Sequence, residues 1–247
     1  MAFTMTVEAG SPASTGARYR QGLAALGSAQ KPGAGVPAYT RWVNRRLARH
    51  VAASAYALGW TPNAVTAASA VLSLVAMIVM LVVPPVPLLG LPVAALFAAG
   101  YLLDSADGQL ARLTGTGSPA GEWLDHVVDA IRTPAIHLAA AIAVWRFAGE
   151  SPLTIVAFAF LLLSVGQFMS QILAEQLARG RTAEAQEDGR LRSWLLLPTD
   201  AGAVCWMFLV WGAPVAFAVV YTAMFAMNLV HTAASMRRKY RKLRTIG

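Results

Sequence analysis

The sequence predicts an all-α membrane protein with six transmembrane helices preceded by an amphipathic juxtamembrane helix. Three observations predict this class. Of 247 residues, 57% are hydrophobic and only 13% are charged, which is too apolar for a soluble domain of this size. The apolar residues form membrane-length runs, separated mostly by short turns containing Pro or Gly. The basic residues, which give a net charge of +8, lie beside these runs.

The chain ahead of the first span divides into two predicted parts. Residues 1–35 are rich in Gly, Ala, Ser and Thr without periodicity, which predicts a disordered cytoplasmic tail. Residues 36–60 place Trp42 and Leu47 on one helical face and the arginines mostly on the other. That distribution favours an amphipathic helix lying in the membrane interface.

Residues 61–236 form the predicted transmembrane domain. Thr61 as N-cap and Pro62 as first helical residue begin the first span. A polar loop containing four arginines follows the fourth span, whereas the other connections are short. The six predicted spans cover, approximately, residues 61–83, 88–113, 121–147, 153–177, 198–211 and 215–235.

Four aspartates lie between the second and third predicted spans. Asp104 and Asp107 are spaced i, i+3, and Asp125 and Asp129 are spaced i, i+4, so each pair lies on one helix face. Two acidic, solvated helix ends are one interpretation. However, a carboxylate at the membrane centre costs roughly 2.5–3.5 kcal/mol, so four together favour a function. Carboxylates suit Mg²⁺ or Mn²⁺, as one ion or a bridged pair, and such ions act in displacement at phosphorus.

The spacing of these residues resembles the motif of the CDP-alcohol phosphotransferase (CDP-alcohol phosphatidyltransferase) family. Written out, it is Asp104-x2-Asp107-Gly108-x2-Ala111-Arg112-x8-Gly121-x3-Asp125-x3-Asp129. The resemblance implies an integral membrane enzyme of phospholipid biosynthesis, which transfers a substituted phosphoryl group from a CDP-alcohol to an acceptor alcohol and releases CMP. It also implies a homodimer that uses Mg²⁺ or Mn²⁺.

The resemblance implies roles for individual residues. All four aspartates would be metal ligands, and Asp129 would also be the general base. Asn63 and Thr66 stand at a helix N-terminus, which favours an anion, although either can serve in capping alone. The nucleotide pocket would be formed by Asn63, Thr66, Asp107, Gly108, Ala111, Arg112 and Gly121.

The candidate acceptor residues are Arg132, Glu175 and Arg179. An intramembrane arginine such as Arg132 is commonly functional, although a structural ion pair is an equal alternative. The inositol-phosphate branch of the family carries a Lys/Arg cluster near the end of the fourth helix. Glu175 ahead of Arg179 departs from that pattern, which counts against inositol phosphate as the acceptor.

The donor is also left open. CDP-diacylglycerol is the commonest donor in the family that the motif resembles. The run Asn44-Arg45-Arg46 resembles the branch that uses soluble CDP-alcohols such as CDP-inositol, with a phosphorylated or lipid acceptor.

Basic residues predict the orientation. Of 20 Lys and Arg, seven precede the first span, four follow the fourth, and six lie in the C-terminal tail, residues 237–247. The positive-inside rule then places both termini and the aspartates on the cytoplasmic side of the cell membrane. Basic charge beside membrane spans indicates contact with anionic lipids rather than with nucleic acid.

The single cysteine, Cys205, excludes an intrachain disulfide.

Two other functional classes fit an acidic cluster in a membrane protein. One is a cation transporter, but no second acidic cluster marks a path through the remaining spans. The other is a non-catalytic lipid-binding scaffold, against which the complete set of four aspartates counts.

Overall fold

All regular secondary structure in the described residues is helical. The computed structural model describes residues 14–28, 33, 35–178 and 189–245, and these ranges contain no strand. This confirms the predicted all-α class. The α-helices in chain order are α1 Thr15–Ser28, α2 Arg45–Leu58, α3 Pro62–Val82, α4 Gly90–Thr114, α5 Pro119–Ala148, α6 Pro152–Ala178, α7 Arg190–Leu195, α8 Ala201–Met207 and α9 Pro214–Arg244.

Five of these helices are long and apolar enough to cross a membrane. They are α3, α4 with the turn before it, α5, α6 and α9, and the shortest has 21 residues. A helix needs about 20 apolar residues to cross the hydrocarbon core. Large apolar side chains such as Val71, Leu162 and Val219 are exposed on them, as expected of lipid-facing surfaces. The chain is therefore a multi-pass membrane protein.

Helix starts follow the predicted local chemistry. Thr61 accepts a hydrogen bond from the backbone amide three residues further on, and Pro62 is the first residue of α3. Ser118 and Pro119 begin α5 in the same way. Proline suits the first helical position because its missing N–H would have no partner there.

The predicted fifth span needs correction. Residues 198–211 contain α8 and the short 3₁₀ turn Phe208–Val210 rather than one spanning helix. The apolar helical stretch Ala201–Val210 rises only about 15 Å. Pro198 belongs to a separate turn, and the Asp200 carboxylate caps α8. The described residues therefore contain five helices of spanning length and one short apolar helix, instead of six spanning helices.

The short helix α8 lies along the N-terminal half of α4. At one end, the hydroxyl of Thr40 contacts both the Asp200 carboxylate (2.7 Å) and the hydroxyl of Tyr101 on α4 (2.6 Å). At the other end, a Cβ on Gly90 would lie 2.0 Å from the carbonyl oxygen of Leu209. The segment thus passes from the level of Tyr101 to the level of Gly90, beside α4.

The predicted helix ahead of the first span is present. A π-helical turn, Thr40–Asn44, leads into α2, which packs against α4. The alanines of α2 supply its buried face, whereas Val43 and Leu47 are exposed. Exposed apolar side chains on this helix are compatible with a membrane-interface location, which stays a prediction.

Helix α1 corrects the prediction of a disordered tail for part of its length. Within it, Leu26 is fully buried, and the Arg18 guanidinium donates a hydrogen bond to the Tyr56 carbonyl of α2 (2.8 Å). Residues 14–28 are weakly periodic, so contacts with α2 stabilise the helix rather than local propensity. Residues 1–13 lie outside the described part of the chain.

Helices α3 and α4 lie in close contact at Gly100. A Cβ there would lie 2.6 Å from Ser73 Oγ and 3.1 Å from the Ser69 carbonyl oxygen. On the N-terminal side of Gly100 along α4 lies the main apolar core, which includes Phe97 and Tyr221. The aspartates follow on the C-terminal side.

Candidate active site

Three of the four aspartates converge. One oxygen from each of Asp104 and Asp107 on α4 and Asp125 on α5 lies within 4.8 Å of the others. Asp107 is buried, whereas Asp104 and Asp125 are partly accessible. The predicted meeting of carboxylates from two helices is therefore present. Three close carboxylates are a donor set that fits a hard divalent cation such as Mg²⁺ or Mn²⁺.

Asp107 is held in place from two directions. The hydroxyl of Thr66 on α3 donates to one carboxylate oxygen (2.5 Å), and the backbone amide of Gly108 donates to the other (2.5 Å). Thr66 also donates to the carbonyl of Pro62 (3.2 Å). The first turn of α3 thus orients a carboxylate of α4.

Asp129 lies outside the three-carboxylate cluster. Its carboxylate is 2.5 Å from the guanidinium of Arg132, one turn further along α5. The same nitrogen of Arg132 is 2.8 Å from Asp104, and the guanidinium also donates to the hydroxyl of Ser69 on α3 (2.7 Å). Arg132 therefore joins the fourth aspartate to the first.

A cavity of about 890 Å³ opens beside the carboxylates. The N-terminal turn of α3, the C-terminal turns of α4 and the start of α5 form its walls. All seven residues predicted for the nucleotide pocket line it: Asn63, Thr66, Asp107, Gly108, Ala111, Arg112 and Gly121. The predicted residues are thus brought together around one space with two of the aspartates, Asp107 and Asp125.

Positive charge from α2 reaches the same region. The Arg45 guanidinium lies close enough to Arg112 for their charges to repel, and the Arg45 carbonyl accepts a hydrogen bond from Gln109 of α4 (3.1 Å). Burial lowers the pKa of Arg45 below its ordinary value, and the charge of Arg41 adds to this effect. Sequence reasoning placed Arg45 on the polar face of an interfacial helix and in the Asn44-Arg45-Arg46 run, but it did not predict Arg45 near Arg112.

The neighbouring Asn44 is a structural residue. It is buried, and its amide donates to the hydroxyl of Ser105 (2.5 Å) and the carbonyl of Tyr101 (3.4 Å) on α4. It therefore connects α2 to α4 beside Asp104. Its contacts lie in the protein interior, so its presence in the Asn44-Arg45-Arg46 run is explained by packing.

A second cavity, of about 450 Å³, lies between α5, α6 and α9. Arg132 lines it, so this arginine stands between the aspartates and the second cavity. Glu175, a predicted acceptor residue, does not line it but contacts Gln171, which does. Arg179, the third candidate, lies outside the described residues. Sequence reasoning missed the polar side chains that α9 contributes to this cavity, Asn228, His231, Thr232, Ser235 and Lys239.

The two histidines near the aspartates differ in setting. His137 is buried, its Nδ1 is 2.7 Å from the Tyr221 hydroxyl, and its ring stacks on Phe160 at 3.9 Å. These contacts explain it as a core residue. His126 lies 4.0 Å from the Asp125 carboxylate, beside rather than within the three-carboxylate cluster.

Fold and site together define a multi-pass membrane protein with a carboxylate-lined cavity at one end of its helices. The chain belongs to the CDP-alcohol phosphatidyltransferase family, whose sequence model matches residues 59–237. That match runs from the start of α3 into α9 and includes every predicted site residue. The family resemblance inferred from the aspartate motif is therefore confirmed.

One curated relative is similar over part of its length. An archaetidylinositol phosphate synthase of Aeropyrum pernix is 36% identical over 112 residues. The aligned region is 45% of this chain and 53% of the relative, so the chain matches about half of that protein.

Proposed function

We propose that the protein transfers a phosphatidyl or similar substituted phosphoryl group from a CDP-alcohol to an acceptor alcohol, with release of CMP. The observation that carries this proposal is the convergence of Asp104, Asp107 and Asp125 beside the cavity that contains all predicted nucleotide residues. Family membership supports the same reaction class. CDP-diacylglycerol is the proposed donor.

The three converging carboxylates would hold Mg²⁺ or Mn²⁺. When bound, such an ion neutralises charge on the pyrophosphate and on the departing CMP. Thr66 and the Gly108 amide orient Asp107 for this role, since each donates to one of its oxygens. The fit rests on the hard oxygen donors that the chain supplies.

The acceptor hydroxyl would attack the phosphorus that carries the alcohol of the donor. A new P–O bond forms to the acceptor oxygen, the P–O bond to the CMP phosphate breaks, and CMP takes the bonding electrons. Asp129 would accept the hydroxyl proton. Arg132 holds the Asp129 carboxylate at 2.5 Å, which restricts its orientation, and a base must be positioned within hydrogen-bond reach of the proton.

The cytidine diphosphate would occupy the larger cavity. Asn63 and Thr66 lie near the N-terminus of α3, where the helix dipole favours an anion. Arg112 supplies a guanidinium for phosphate oxygens. Gly108 and Gly121 also line this cavity and add no side chain to it.

The smaller cavity is the proposed acceptor chamber. Arg132 lines it and contacts Asp129, so an alcohol held there would lie next to the proposed base. Its charged and polar lining on α9 suits a polar acceptor. Glu175 would act through its contact with Gln171, and Arg179 stays an acceptor candidate from the sequence alone. The name of the Aeropyrum relative favours an inositol phosphate acceptor, whereas Glu175 departs from the basic pattern of that branch.

The basic termini support an orientation with the active site and both termini in the cytoplasm. A chain with Cys205→Ser and a single new cysteine can test it. Gly117→Cys lies in the turn between α4 and α5, and Glu150→Cys lies in the turn between α5 and α6. A membrane-impermeant maleimide should label only Glu150→Cys in intact cells. Labelling of Gly117→Cys instead would show the opposite orientation.

A homodimer remains an expectation from the family.

CMP release is the test of the proposed function. The purified protein in detergent with Mg²⁺ receives CDP-diacylglycerol or CDP-inositol, each with glycerol 3-phosphate, inositol, inositol phosphate, serine or a phospholipid. CMP release with one pair is the expected result and names both substrates. Binding of CDP without CMP release from any pair would instead favour the lipid-binding scaffold, and metal flux into vesicles without CMP release would favour a transporter.

A further inference from the structure

Arg132 contacts two aspartates of the motif at once. One guanidinium nitrogen lies 2.8 Å from Asp104 Oδ1 and 2.5 Å from Asp129 Oδ1. These carboxylates come from different helices, α4 and α5. The side chain of Arg132 is 11% exposed, so its charge is balanced by these carboxylates rather than by water.

The other side of the guanidinium is anchored on α3. It donates to Ser69 Oγ at 2.7 Å, and Ser69 in turn donates to the Gly100 carbonyl of α4 at 2.8 Å. Ser69 is fully buried where α3 and α4 are in close contact at Gly100. Arg132 is thus held by three helices, and the carboxylate oxygens that it contacts are held with it.

A bridged metal pair would compete for the same oxygens. Two ions in such a site lie about 3.5–4 Å apart and share carboxylates. Asp104 contributes one oxygen to the cluster with Asp107 and Asp125, and its Oδ1 and the Oδ1 of Asp129 face Arg132. A second divalent ion between Asp104 and Asp129 would have to displace a guanidinium that carries like charge.

We propose that Arg132 is a built-in cation in the place of a second divalent ion, so that this site binds one Mg²⁺ or Mn²⁺ ion per chain. The inference rests on the proposed function, because it takes Asp104, Asp107 and Asp125 as the ligands of that one ion. The guanidinium balances charge on Asp104 and Asp129, but it is no Lewis acid. Arg132 therefore acts as a positioning residue for Asp129 and as the determinant of ion number.

Manganese titration tests this directly, without any turnover. Calorimetry and frozen-solution electron paramagnetic resonance with MnCl₂, with and without CDP, count the ions and distinguish an isolated Mn²⁺ from a spin-coupled pair. We expect one tightly bound, isolated Mn²⁺ in the wild type. In Arg132→Gln a second ion should bind and give the coupled spectrum, whereas Arg132→Lys, which keeps the charge, should bind one.

Arg146→Gln is the matched control. It removes a guanidinium from an exposed position on the same helix α5, outside the proposed site, and it should leave the count at one. Two coupled ions in the wild type would overturn the proposal, as would a count of one in a folded Arg132→Gln protein. If Arg132→Gln does not fold, the number of Mn²⁺ ions bound by the wild type tests the proposal by itself. No bound Mn²⁺ in folded wild type would instead contradict the metal site of the proposed function.

Discussion

Thr66 on α3 donates a hydrogen bond of 2.5 Å to Asp107 on α4, and both residues are buried. This contact joins the wall of the larger cavity to the carboxylate cluster. A hydrogen bond to a charged group contributes about 1.5–3 kcal/mol. Thr66 therefore acts on the cluster through Asp107, in addition to any contact with a nucleotide.

The first prediction follows from this bond. Thr66→Val keeps the side-chain shape but removes the donor, so Mn²⁺ affinity should fall roughly 10- to 100-fold, in line with the loss of about 1.5–3 kcal/mol. Calorimetry of the detergent-solubilised protein measures it. Thr66→Ser keeps the hydroxyl and should retain most of the affinity. Equal affinities in the wild type and both variants would show that the bond does not support the cluster.

A second prediction concerns the proposed base. Asp129→Asn retains a group that can contact Arg132 but cannot take a proton at neutral pH, so CMP release should fall by about 10²- to 10⁴-fold. Binding of Mn²⁺ and of CDP should persist, because neither depends on proton transfer. Full turnover by Asp129→Asn would exclude it as the base.

A third prediction distinguishes the loss of a metal ligand from the loss of a negative charge elsewhere in the protein. Asp104→Asn removes charge from the three-carboxylate cluster, so the Mg²⁺ concentration for half-maximal CMP release should rise at least tenfold. Glu150→Gln removes the same charge in the exposed turn after α5 and should leave that concentration unchanged. An identical Mg²⁺ titration for wild type and Asp104→Asn would argue against Asp104 as a ligand.

The fourth prediction tests the close contact between α3 and α4. A Cβ on Gly100 would lie 2.6 Å from Ser73 Oγ and 3.1 Å from the Ser69 carbonyl oxygen, so Gly100→Ala should destabilise the protein by about 1–3 kcal/mol. Thermal unfolding in detergent measures this change. Gly27→Ala in α1 meets nothing within 4 Å and should be neutral or slightly stabilising. Equal losses in both variants would contradict the packing explanation.

Local sequence rules account for much of the architecture. Spans of about 20 apolar residues, the Thr61-Pro62 and Ser118-Pro119 starts, and the aspartate spacing are each decided within one helix or one turn. Where such signals are strong, prediction and structure agree, as at α3 and α5. The family motif is also contiguous, so it could be recognised without any knowledge of packing.

The errors fall where contacts between distant segments decide the structure. Helix α1 has a weak pattern of its own, but Leu26 and Arg18 are stabilised by contact with neighbouring helices. The fifth span is shortened because Pro198 and Asp200 interrupt it, and because Asp200 bonds Thr40, 160 residues away. Apolar composition alone does not report such interruptions.

By itself, the sequence determined the membrane class, the family and the identity of the four aspartates, because hydropathy and motif spacing are local properties of the chain. Only the tertiary structure decided how those aspartates divide: Asp104, Asp107 and Asp125 converge, while Asp129 contacts Arg132. The physical reason is that the three converging carboxylates meet across two helices, and that Arg132, although on the same helix as Asp129, is itself held by Asp104 of α4 and Ser69 of α3. Thr66 and Ser69 on α3 select the positions of Asp107 and Arg132, and no spacing along α4 or α5 encodes that choice.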